Sequence, residues 1–152
     1  MKTLLSLFAI GVIFSTGSLK AEDSYSVAVA FRGNKEVSTL PVFVTKTDKM
    51  VTNSFTVTEK ILISAGEEMQ FTTGQGTSLS LTTNQGKMFI KGEAFHAEQI
   101  GETMNGTIPV VSTRTMQLND AIELGATKRI EMGKDLVMEV LVNKVNKAEK
   151  SY

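Results

Sequence analysis

The chain has no cysteine, no tryptophan, a single histidine and two prolines. Each shortage removes a class of chemistry. Without cysteine there is no disulfide, no thiolate nucleophile, no zinc-thiolate centre and no site for a lipid anchor on sulfur. With His96 as the only imidazole, a serine-based triad would need it as the base, beside a serine presented at a sharp turn. No Gly-x-Ser-x-Gly element is present. A metal site would draw on Glu93, His96 and Glu98, a thin donor set. Charge of one sign is also missing: 16 basic residues face 16 acidic ones. Phosphate backbones are bound by a concentrated basic face, so this balance gives no reason to expect nucleic acid.

What the chain does have begins at its N-terminus. Lys2 precedes an almost unbroken apolar run from Leu4 to Phe14, and Ser15 to Ala21 is small and polar. This three-part layout predicts a secretory signal peptide over residues 1–21. The run is about half the length that a spanning helix needs. The favoured cleavage point follows Ala21, directly before the polar Glu22-Asp23-Ser24; cleavage after Ser18 is the alternative. No second long apolar segment follows, so no transmembrane segment is expected in the mature chain. Loss of Lys2 and Lys20 leaves 14 basic against 16 acidic residues over 22–152. An exported domain of this size without cysteine fits a bacterial periplasm better than a eukaryotic exterior. Asn105-Gly106-Thr107 is then a chance match to the glycosylation pattern.

The mature sequence reads as strands broken by turns. Tyr25, Val27, Val29 and Phe31 alternate with small or polar residues, the period of a half-buried strand. Leu40, Val42 and Val44 resume the alternation after Gly33-Asn34-Lys35, with Pro41 marking an edge or a strand start. Val51, Asn53, Phe55 and Val57 share one face of the next strand, and Ile61 to Ile63 end at Ala65-Gly66. Gly74-Gln75-Gly76 reads as a hairpin turn. The runs around Leu79-Leu81 and Met88-Phe95, joined by Asn84-Gln85-Gly86-Lys87, form the clearest hairpin. His96 to Gly106 reads as a polar loop, functional or simply a hairpin end. Ile108 to Leu118 is a β-branched run turned by Asn119-Asp120. Leu136 to Val145 is apolar on both faces, which places it centrally. Only 96–104 and 119–126 offer room for a short helix. The predicted fold is all-β: an antiparallel β-sandwich or partly rolled sheet, one domain over 22–146, with a polar tail at 147–152. Its expected core includes Val27, Val29, Phe31, Val42, Phe55, Leu79, Leu81, Phe89, Val140 and Val142.

An outer-membrane barrel is disfavoured, because such barrels carry aromatic girdles and this chain has two tyrosines near the ends of its mature part. The eight methionines are scattered through apolar runs, as core fillers are, without the tight spacing of a copper site. Glu67 and Glu68 are adjacent, so on a strand they point to opposite faces and cannot flank one bond.

Residues 107–125, with Pro109, Ser112, Thr113, Arg114, Asp120, Leu124 and Gly125, resemble a segment of the secretin channel domain of bacterial type II and III secretion systems. There a proline precedes a Ser/Thr-Arg turn, a strand, an acidic turn and a short strand ending in glycine. Gly66 to Gly74 is similar to the same domain's glycine-acid-acid strand. The resemblance covers about residues 61–125. It lacks the glycine-rich gate segment, and the chain is too short for a channel subunit. It implies a small exported β protein that shares part of that sheet without a pore.

The expected function is therefore a non-catalytic binding or structural accessory protein of the cell envelope, with another envelope protein as partner and no cofactor. It would act through a sheet edge or through the 96–106 loop. The alternatives are a small-ligand carrier with an apolar cavity and a hydrolase or metal-dependent enzyme centred on His96. Arg114 interrupts an apolar strand pattern, and its charge must reach solvent or find a partner. Glu102 and Asp120 are the acids expected for it, with loop carbonyls as the other acceptors.

Overall fold

The computed structural model describes residues 22–64, 66–104 and 108–146. The expected signal peptide, the 147–152 tail and the Asn105-Gly106-Thr107 pattern lie outside the described residues. Nine strands follow one another: β1 (Ser24–Gly33), β2 (Val37–Thr39), β3 (Phe43–Lys46), β4 (Val51–Ser64), β5 (Glu67–Asn84), β6 (Lys87–Glu102), β7 (Pro109–Ile122), β8 (Thr127–Glu131) and β9 (Leu136–Val145). No helix occurs among the described residues. The fold is all-β, as the alternation predicted.

The strands form two antiparallel sheets. In the first, β1 lies between β9 and the broken edge made by β2 and β3, and β9 continues to β8. In the second, β4-β5-β6-β7 is a simple meander. The two sheets pack as a β-sandwich. Period-two patterning sets the inner faces. Tyr25, Val27, Val29 and Phe31 of β1 and Leu136, Met138, Val140 and Val142 of β9 are buried from the first sheet. Leu79, Leu81, Ile90, Ala94, Leu118 and Ile122 meet them from the second. Each such Val, Leu, Ile or Phe contributes about 1.5–3 kcal/mol by leaving water. β9 lies between two partners, the central position that its two-sided apolar character predicted.

Seven of the ten expected core residues are buried; Val42, Phe55 and Phe89 are not. The strand phase slips by one across Pro41. Leu40 is buried and donates its backbone N–H to the Val29 carbonyl, and Phe43 packs against the core, so Val42 and Val44 turn outward. Phe55 does occupy the inner face of β4, opposite Gln75, but β4 is an edge strand and the first sheet does not cover it there: Phe55 is 61% exposed. Phe89 sits between the buried Met88 and Ile90 and so falls on the outer face, half-buried.

Three turn expectations are also corrected. Gly74-Gln75-Gly76 lies within β5, because β4 and β6 pair with it on both sides. Asn119 and Asp120 continue β7 opposite Lys91 and Ile90, and the turn falls at residues 123–126. The expected polar loop from His96 is strand as far as Glu102, held by β7 through a register shift between Gln99 and Gly101. Polarity misled here because both faces of this stretch meet solvent.

The second sheet is longer than the first, and its pairing is not uniform. β5 and β6 pair from Asn84↔Lys87 to Gly74↔Ala97 and no further. Beyond that point Glu67–Thr73 pairs only with β4, and Glu98–Glu102 only with β7. The sheet therefore forks into two two-stranded ribbons. Five of the large exposed apolar side chains belong to these ribbons or their tips, Val57, Leu62, Ile100, Met104 and Val110, and Phe55 lies just inside the fork.

Candidate functional site

Gly74 sits where the fork begins. Its φ is +134°, a conformation that L side chains rarely adopt, and an added Cβ would strike the Phe55 carbonyl. One residue on, cross-strand register places Phe55, Gln75, His96 and Arg114 in a single row across all four strands. Residues directly opposite on antiparallel strands share a face. Here that is the inner face, at the mouth of the sandwich. Two turns of the first sheet, around Gly33–Glu36 and Gly133–Asp135, reach the same place. Together they bound a cleft of about 610 Å³, walled by Glu59 and Phe71 on one ribbon and Glu98 and Gln99 on the other.

Arg114 closes one corner. Its Nη1 donates to the Lys134 carbonyl at 2.6 Å, latching β7 to the β8–β9 turn. The loop-carbonyl acceptor is thus the one used, and the two expected acids are elsewhere. Glu102 stands opposite Pro109 at the ribbon end, six positions along β6 from the His96↔Arg114 pair, roughly 20 Å away. Asp120 lies as far in the other direction and meets Lys128 of β8 at 3.9 Å. Both partners of that pair are more than a third exposed, so it contributes about 0–1 kcal/mol.

His96 lies on the floor of the cleft. Its ring stands 5.8 Å from the Phe31 ring at 34°. Burial among these groups lowers its pKa below the usual 6.5; Glu98 opposes that shift and Arg114 adds to it. Its Nδ1 is buried without a partner, as is the hydroxyl of Thr77 in the neighbouring row. Buried polar atoms ordinarily find partners, so these two leave hydrogen-bonding capacity unspent near the cleft floor. Glu93, expected beside His96 in a metal set, is on the opposite face of β6 and accepts from Gln117 Nε2 at 2.7 Å. No group of three metal-ligating side chains occurs among the described residues.

Of the four residues singled out from sequence, the fold brings His96 and Arg114 together and leaves Asp120 and Glu102 apart. Glu59, Phe71 and Gln75 were missed. Their signal was register: each stands on the inner face of its strand, which becomes visible only once the pairing of β4, β5 and β6 is known. The residues of the secretin-like segment lie along β7 and the turn after it, with Ser112, Thr113 and Arg114 in the strand rather than in a turn. The chain matches no family model, no curated protein and no solved structure.

Proposed function

We propose that this chain is an exported, non-catalytic binding or structural accessory protein of the bacterial cell envelope, a relative of secretion-system components, that holds another envelope protein at the forked end of its second sheet. The observation that carries this reading is the fork. Two ribbons leave the packed core and carry Val57, Leu62, Ile100, Met104 and Val110 to solvent, with Phe55 exposed just inside the fork. A free-standing two-stranded ribbon is marginally stable in water, and contiguous exposed apolar surface marks interaction sites. The cleft supports the same reading. It offers charges, an amide and an arginine, groups that orient a bound chain.

The test has two arms. N-terminal sequencing of the protein recovered from cells should begin at Glu22, or at Leu19 under the alternative cleavage. The chain from Glu22 onward, used as bait in an envelope extract, should enrich one envelope protein over a Leu62→Ser/Ile100→Ser variant, both substituted residues being exposed. An intact Met1 terminus on cytoplasmic protein, or identical capture by parent and variant, would overturn the reading.

A further inference from the structure

We propose that the fork is a slot for one missing strand: an extended, basic segment of the partner protein enters between the ribbons and pairs with β5 on one side and β6 on the other. This rests on the binding function proposed above and names the chemistry of its occupant.

The main chain makes the first argument. In an antiparallel sheet, successive residues send their N–H and C=O groups alternately to the two sides. Glu67–Thr73 is satisfied toward β4 only, and Glu98–Glu102 toward β7 only. Among the described residues no strand lies on their other sides. Two unpaired edges thus face each other across one gap, and an inserted strand, antiparallel to one and parallel to the other because β5 and β6 run in opposite directions, would satisfy both. Seven residues on one side and five on the other correspond to an occupant roughly 17–24 Å long.

The side chains make the second. Carboxylates of Glu36, Glu59, Glu98 and Asp135 line the cleft, against Lys35 and Arg114 as the cations. Part of the Arg114 guanidinium is already committed to the Lys134 carbonyl. Glu67 and Glu102 extend the same sign along the ribbons, while Glu68 is met by Lys60 at 3.9 Å. Phe71, directly opposite Glu59, supplies an apolar surface beside the acids. A strand entering here therefore suits a lysine or arginine on its inward face, flanked at alternate positions by β-branched residues that meet Phe71. Strand addition draws affinity from main-chain bonds and selectivity from alternate side chains; here both edges would contribute at once.

The probe is an acetylated, amidated heptapeptide with threonine at odd positions and valine, lysine, valine at even ones. It is titrated into the chain from Glu22 onward, with NMR and calorimetry as readouts. We expect saturable binding with a Kd of roughly 0.1–1 mM. Shift changes and slowed amide exchange should appear together in Glu67–Gly74 and Ala97–Glu102. N-methylation of alternate peptide nitrogens should weaken binding about tenfold or more, and so should Glu59→Lys/Glu98→Lys, whose parent side chains are exposed. Four results would overturn the slot: no binding, tolerance of N-methylation, protection confined to one ribbon or to an outer edge, and a dimer of the chain that protects the same amides and excludes the peptide. If the peptide fails while Leu62→Ser/Ile100→Ser still abolishes capture of the envelope partner, the slot is wrong and the binding reading stands. If both fail, both are wrong.

Discussion

Arg114 shows how a single side chain is pulled between solvent and structure. It stands on the inner face of an edge strand, half-buried, where an unpaired guanidinium would be costly. The Lys134 carbonyl resolves this at 2.6 Å. A hydrogen bond to a charged group contributes about 1.5–3 kcal/mol when buried; solvent at this site reduces it. We expect Arg114→Ala to lower stability by about 1–2 kcal/mol, and to speed amide exchange in the turn at residues 133–135, as read by denaturant melts and hydrogen exchange. Gly74→Ala acts on the backbone instead. At φ +134°, with the Phe55 carbonyl in the way, it should cost more than about 2 kcal/mol, whereas Gly86→Ala, where nothing meets the new Cβ, should cost less despite its own positive φ. His96 gives a pH signature. Burial lowers its folded pKa, so the unfolded chain takes up the proton first as pH falls through about 6.5. The unfolded state then binds more protons than the folded one, and stability declines with acidification until the folded pKa is passed. A His96→Gln variant should lack this component when melts are compared between pH 7.5 and 5.

The elements show which parts of the fold were legible. Strand identity came from alternation: β1, the β5–β6 hairpin at Gln85-Gly86 and the central β9 all follow from period-two runs and their turn residues. Phase was less legible, because Pro41 shifts it by one and no local rule announces the slip. Glycines were ambiguous for a physical reason: φ > 0 serves a tight turn and a mid-strand kink equally well, and Gly74 is the second. The fork could not be read at all. It depends on which strands stop pairing, a non-local property that polarity at 96–106 imitates as a loop. Of the site, His96 and Arg114 stood out as residue types misplaced in their local pattern, while Glu59, Phe71 and Gln75 looked ordinary for strands. The division between core and ribbon is testable with two substitutions. Val140→Ala, in the buried middle of β9, should cost about 1–3 kcal/mol through lost burial and a residual cavity. Leu62→Ser, on a residue 73% exposed, should fall within about 0.5 kcal/mol of the parent. Equal midpoints for these two variants would dissolve the distinction.

At the scale of the whole molecule, the sandwich holds the packed core, and the forked sheet is the part proposed to meet a partner. The first sheet ends near the fork, and the second continues past it as ribbons that carry exposed apolar and acidic side chains along their length. Under the proposed binding, such an arrangement leaves almost no motif, since main-chain edges and register would carry the recognition. The claim on which everything else depends is that β5 and β6 part at Gly74 and Ala97. Residue-resolved hydrogen exchange of the free chain measures it directly. From Gln75 to Leu79, where β4 and β6 both pair with β5, amides on both sides should be protected. From Glu67 to Thr73 protection should alternate, with only the amides bonded to β4 slow and those facing the fork exchanging at near-solvent rates. Continuous protection of every amide from Glu67 through Leu79 would mean that the sheet closes without a fork, and would contradict the account.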